Sequence, residues 1–136
     1  MESITSLIIH LIAIENFCKD IHYNSKGEAF YAKHLLADRV QENISEYLDQ
    51  IKEICILGSD EKTLPSGEYL SRATSLIPSV QPNDQDNFKS LENLIITTLE
   101  IIETMKDSTK GEENLYGNIA QDLQLSLGLI YRQIQG

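Results

Sequence analysis

HYNSKGEAFYAKHLLADRVQENISEYLDQIKEICILG, residues 22–58, decides the fold. Between Glu28 and Leu57 the stretch contains neither Gly nor Pro. Its apolar residues, Ala37, Val40, Ile44, Tyr47, Leu48, Ile51, Ile54 and Cys55, recur at helical spacing. One long helix is therefore predicted, closing at Gly58 as a C′ glycine. Asn24-Ser25-Lys26-Gly27, just ahead of it, is a turn signal.

Upstream, Ser3 to Asn24 reads as a first helix, dense in apolar residues (Ile4, Leu7, Ile8, Leu11, Ile14, Phe17, Cys18, Ile21). It lacks a basic lead and a small-residue cleavage site, and His10 and Glu15 interrupt it. It therefore reads as a core helix, too short to span a bilayer. Downstream, residues 58–83 hold all three prolines and predict a crossover with a short helix around Glu68 to Ser75. Asn83 or Asp84 can cap a third long helix running to about Lys106, with Phe88, Leu91, Leu94, Ile95, Ile101, Ile102 and Met105 on its apolar face. Asp107 to Gly111 reads as a turn. A fourth helix then carries Leu115, Ile119, Leu123, Leu127, Ile130 and Ile134, with Glu112 and Glu113 at its start. Short first and third connections with a long second one predict an all-α, ferritin-like four-helix bundle with a long crossover, a single domain over residues 1–136.

The chain carries 11 Lys and Arg against 21 Asp and Glu, a formal charge of −10. That balance suits cations better than phosphate backbones. Cys18 and Cys55 lie in apolar helical stretches without metal-ligand spacing, and read as small buried hydrophobes with reduced thiols. A cytoplasmic location is expected. His10 reads as a satisfied core or interface histidine. Hydrolase, P-loop and dinucleotide-binding motifs are absent.

Chemistry concentrates on one face of the second helix. His34 and Asp38 form one i,i+4 pair, Asp49 and Glu53 another, and the pairs are related by a dyad between residues 43 and 44. They lie 15 positions apart, roughly 22 Å along a helix and too far for one site. An identical helix laid antiparallel would bring His34 and Asp38 of one chain beside Asp49 and Glu53 of the other. At roughly 100° per residue this face points well away from the apolar stripe. It is therefore either a solvated surface or buried against another chain.

The stretch resembles the Dps family of ferritin-like mini-ferritins, which oxidise and store iron and in some members bind DNA. His22, Asn24, Lys26, Gly27, Phe30, His34, Asp38, Leu48, Asp49 and Glu53 fall in register with the family signature without a gap. QDLQLSLGLIYRQI is similar to its last helix. The resemblance implies a ferroxidase centre at the dimer interface, with His22, His34 and Asp38 from one subunit and Asp49 and Glu53 from its partner. Fe(II) would be oxidised there by peroxide or oxygen at an intersubunit di-iron site. Carboxylates and imidazoles suit iron, and zinc fits the same ligands. A homo-oligomer follows, a dimer through the first two helices; family members usually form a shell of twelve.

The sequence departs from the family at Tyr23 and Gly128, where the family has Trp; the chain has no Trp at all. Lys52 lies on the ligand face, where its ammonium can pair with Asp49 or Glu53 or snorkel to solvent; the latter is expected. Only Met1, Glu2 and Ser3 precede the first helix, and the chain ends Gln-Ile-Gln-Gly, so binding to DNA is not expected. The alternative to a ferroxidase is a Dps-derived helical scaffold or interaction protein that binds metal weakly or not at all.

Overall fold

Helix α1 (Glu2–Asn24) is apolar nearly all round because its neighbours cover nearly all of it. Leu7, Ile8, Leu11, Ala13, Ile14, Phe17 and Cys18 are fully buried. In this computed structural model, which describes residues 2–106 and 108–135, the chain is all-helical, with no strand among the described residues. Met1, Gly136 and Asp107 of the expected turn lie outside that range. Helices α2 (Phe30–Gln41), α3 (Ile44–Ile51), α4 (Ser66–Thr74) and α5 (Asp84–Thr104) all pack on α1. Helix α6 (Lys110–Gln135) closes the core against α5, α2 and α3. Truncating a central ring such as Phe17 to Ala costs about 3–5 kcal/mol in a core of this kind. No described helix is long and apolar enough to cross a membrane.

Polar contacts at the helix ends fix the direction of each segment. Ser25 closes α1 with its backbone N–H and its hydroxyl on the Ile21 carbonyl, at 2.9 and 2.6 Å. Gly27 (φ 76°) and Ala29 (φ 57°) take left-handed conformations at the α1–α2 corner, so α2 begins at Phe30 rather than Glu28. Asp84 accepts from the Lys26 backbone N–H at 3.1 Å and from Lys33 Nζ at 2.7 Å. Helix α5 therefore starts beside that corner and runs in the same sense as α2 and α3. Gln85 Nε2 donates to the Ile134 carbonyl at 2.7 Å, so α6 ends where α5 begins. Residues 58–83 thus return from one end of the molecule to the other, with α4 laid on α1. Asn87 locks the end of that crossover, accepting from the Gln81 N–H at 2.7 Å and donating to its carbonyl at 2.9 Å.

The expected caps are partly reassigned. Asn83 caps α5, accepting from the Gln85 N–H at 2.8 Å, and Asp84 serves the corner instead. Thr109 and Glu112 form a reciprocal capping box ahead of α6, at 3.0 and 3.2 Å.

The single long helix expected over residues 28–57 is corrected in two places. It breaks at Glu42–Asn43, and it widens into a π-helical turn over Lys52–Leu57. Asp122 on α6 accounts for the break. It accepts from Arg39 Nη2 at 3.0 Å, Tyr47 Oη at 2.9 Å and Asn43 Nδ2 at 3.3 Å, so Asn43 leaves helical geometry (φ −101°, ψ 0°) within that network. Burial opposes ionisation of Asp122, but these three donors outweigh it and hold the carboxyl below its usual range. The π turn changes which aliphatics reach the core. Ile51 and Ile56, five apart, are both buried, whereas Ile54, expected inside, is 48% exposed.

Candidate metal centre

His22 ends α1 and His34 lies in the second turn of α2; the corner folds one ring onto the other. Their imidazoles stack with centroids 3.6 Å apart and planes 22° from parallel. Each ring is tied to the other's backbone: His34 Nδ1 lies 2.8 Å from the His22 carbonyl, and His22 Nδ1 lies 3.1 Å from the His34 carbonyl. A carbonyl only accepts, so both Nδ1 atoms carry the proton. In the neutral rings each Nε2 then keeps its lone pair, the tautomer a metal-ligating histidine needs, fixed from behind as such ligands usually are. Tyr23 packs edge-on against His22, with centroids 4.9 Å apart, and Phe30 tilts over His34 at 5.3 Å.

Asp38, one turn beyond His34, is exposed, and its carboxylate accepts from Gln41 Nε2 at 3.0 Å. Asp49 and Glu53 lie beyond the break, both exposed. The Asp49 carboxyl shares a hydrogen bond with Glu53 and repels its charge, and together these raise Glu53 above the usual carboxylate range. The ion pairs formed among the described residues are Lys33–Asp84, Arg39–Asp122 and Arg72–Glu68, so Lys52 offsets neither acid. Its ammonium sits 5.2 Å above the Tyr69 ring of α4, which replaces the expected free snorkelling with a cation–π contact.

Within one protomer, then, His22 and His34 meet, and Asp49 and Glu53 meet. No group of three or more His, Cys, Asp or Glu side chains placed to hold a metal ion occurs among the described residues. Each cluster offers two donors, a partial coordination sphere. Beside the histidines the surface is unusually apolar: Tyr23 (78% exposed), Tyr31 (69%), Leu35 and Phe30 all face outward.

The other residues singled out by sequence are structural. His10 Nδ1 bonds the Ser6 carbonyl at 2.7 Å. Cys18 is fully buried, and burial pushes its thiol well above the usual range. Cys55 is buried against Tyr116, its Sγ 3.2 Å from the phenol oxygen. The reading of residue spacing gave no warning of that contact or of Asp122, because the partners lie 61 and 79 positions away from Cys55 and Asn43. The Thr109-x-x-Glu112 capping box, by contrast, has a local pattern, of which the spacing reading singled out only Glu112. No protein-family model matches the chain, and no curated protein matches it at a significant level.

Proposed function

We propose that this protein is a Dps-like mini-ferritin that oxidises Fe(II) at a site completed by two protomers, with His22, His34 and Asp38 from one and Asp49 and Glu53 from the other. The observation that carries this reading is the reciprocal tie between His22 and His34, which leaves both Nε2 atoms as free donors. Three further features support it. The connectivity, with one crossover running the length of the molecule and α5 parallel to α2, is what a ferritin-like bundle would require, and so supports the reading. The carboxylate pair lacks a cation and is destabilised by its own repulsion, which a bound cation relieves. The outward-facing Tyr23, Phe30, Tyr31 and Leu35 give a second copy an apolar surface to cover.

In the assembled site the imidazoles would supply neutral nitrogen donors and the acids would offset the cationic charge, a donor set suited to iron and also able to take zinc. Each Fe(II) gives up one electron, and peroxide or dioxygen takes it. The chain's own contribution is to hold the nitrogen donors in one tautomer and to exclude bulk water behind the aromatic rim.

The test is aerobic and peroxide-driven Fe(II) oxidation, followed by the absorbance of the ferric product. His34→Ala and Glu53→Ala are both expected to slow it by about a hundredfold. Wild-type rates in both variants overturn the ferroxidase reading and leave the alternative, a Dps-derived helical scaffold without catalysis. Sedimentation of the wild type decides between a dimer and a closed cage.

A further inference from the structure

The corner between α1 and α2 is gripped from outside by a carboxylate that the proposed ligand set does not use. Lys26 and Lys33 flank its two left-handed residues, Gly27 (φ 76°) and Ala29 (φ 57°). A single oxygen, Asp84 Oδ2 at the start of α5, accepts from both sides: from the Lys26 backbone N–H at 3.1 Å and from Lys33 Nζ at 2.7 Å. Lys33 Nζ also donates to the Lys26 carbonyl at 2.8 Å, so the ring of contacts closes over the corner. The side chains of Lys33 and Asp84 are only 14% and 11% exposed. Burial opposes the charge on Asp84, but the Lys33 and Lys26 donors outweigh it and hold the carboxyl below its usual range. A cavity of about 470 Å³ borders the pair, between Ala29, Phe88 and Ile134. Lys33 is therefore kept in place by its ion pair rather than by close packing.

Lys33 directly precedes His34. We propose that Asp84, acting through Lys33 and Lys26, is a positioning residue for the His22–His34 pair, because it sets the corner at which the two imidazoles meet.

The pair tolerates little movement. Its two ties are contacts of 2.8 and 3.1 Å, each from a ring on one helix to a carbonyl on the other. A ring lies roughly 5 Å from its helix axis, so a rotation of α2 by about 10° displaces it by about 1 Å. That displacement takes either tie out of bonding range. A residue with a Cβ, such as Ala29, keeps a left-handed conformation only where its surroundings impose it. The joint most ready to relax is thus the one that the clamp spans. With the clamp gone, Ala29 returns to an ordinary φ and α2 turns about its own start. The rings part, and each imidazole exchanges between its two tautomers instead of keeping the lone pair on Nε2. The alternative is that burial of Ala37 and Val40 in the core fixes α2 without help from Asp84. The value of the pair as a metal ligand rests on the ferroxidase reading; the geometry of the corner does not.

The test uses the full, metal-free chain, isotope-labelled at the histidine nitrogens, at about pH 8.5, above the ordinary titration range of imidazole. The chain has three histidines. His10, tied to the Ser6 carbonyl within α1 at 2.7 Å, is the internal reference. In the wild type, the nitrogen resonances are expected to show His22 and His34 as single Nδ1–H tautomers. Asp84→Ala and Lys33→Met break the clamp from opposite ends. Each is expected to move both signals toward a tautomer average while His10 stays, and the double variant adds nothing further. Ile119→Val trims the buried core on the half of α6 away from the corner. It should lower the melting temperature and leave all three histidines unchanged. Circular dichroism melting establishes that each variant is folded. Wild-type tautomers in either folded clamp variant, equal shifts in Ile119→Val, or a tautomer average in the wild type itself overturn the proposal. Zn(II) calorimetry is a separate arm, in which Asp84→Ala is expected to weaken binding by about tenfold. Averaged tautomers with unchanged Zn(II) affinity uphold the positioning role and count against the metal site.

Discussion

His34 and Glu53 sit on the same helical stretch, yet the two sides of the Asn43 break are built differently. On the α2 side, the His34 ring is stacked on His22, and each imidazole is anchored to the other's backbone carbonyl. Beyond the break, Asp49 and Glu53 have only each other, and their shared hydrogen bond is set against their mutual repulsion. One half is organised before any ligand arrives; the other becomes favourable only when a cation or a proton joins it. A site divided in this way, if two protomers complete it as proposed, would meet a metal with a rigid nitrogen face and a compliant oxygen face. The Asn43–Asp122 network, at the midpoint, holds the two halves in relation to each other.

That network gives the largest expected effect. Asp122→Ala removes the acceptor of Arg39, Tyr47 and Asn43 together and leaves a half-buried guanidinium without its partner. A loss of about 2–3 kcal/mol is expected in urea unfolding. The pH dependence has a definite sign. Because the folded carboxyl is held below its usual range, its contribution is complete above about pH 4 and is lost as the pH falls through the depressed value. The variant should therefore lose less stability on acidification than the wild type. If the two acid-unfolding curves are merely offset and parallel, the link between the halves does not run through Asp122.

The next effect tests the rigid half. His22→Gln removes the stack and the tie from the His22 ring to the His34 carbonyl, while the residue-22 backbone carbonyl still holds His34 Nδ1, so His34 loses its neighbouring ring and the pair loses one nitrogen donor. Zn(II) affinity, measured by calorimetry, should fall by about tenfold to a hundredfold. Unchanged affinity would mean that the nitrogen face is not pre-organised for metal, and the contrast with the carboxylate half would lose its functional meaning.

Lys52 belongs to the compliant half and gives a smaller effect. Lys52→Met removes the ammonium from above Tyr69, a contact worth about 0.5–1 kcal/mol. Thermal melting should register that loss, while Zn(II) binding should tighten slightly because a nearby positive charge is gone. A gain in stability would show that Lys52 is constrained by its surroundings rather than held by the ring.

These contrasts also mark what could be read from residue order. Helical spacing located α1, α5 and α6 to within a few residues, because each is a continuous amphipathic or buried segment whose pattern is local. The corner at Asn24–Gly27 was legible for the same reason, as was the presence of His34, Asp38, Asp49 and Glu53 on one stretch. The break at Glu42–Asn43 was not, since it answers to Asp122 from a distant helix. The π turn was not, since Ile54 and Ile56 are chemically identical claimants for the core and only packing chooses Ile56. The His22–His34 tie escaped because its acceptors are backbone carbonyls, which carry no sequence signature.

The smallest effect separates the two halves most cleanly. Glu53 is raised by its neighbour, so the protonated pair is the form the fold favours. That contribution is present below the unfolded value near pH 4.3 and is lost as the pH rises through the higher folded value. At neutral pH the pair is therefore slightly unfavourable in the metal-free protein, and Glu53→Gln should raise the melting temperature there by a small amount that vanishes toward pH 4. Zn(II), which has no redox chemistry, is expected to reverse the ranking. It is expected to stabilise the wild type by mass action and Glu53→Gln much less, since in the proposed site the acid that repels its neighbour would also be a ligand. A variant that is more stable without metal and less stable with it has lost a residue whose strain serves binding. If Zn(II) shifts both proteins equally, Glu53 takes no part in the site, and the compliant half is an ordinary acidic surface.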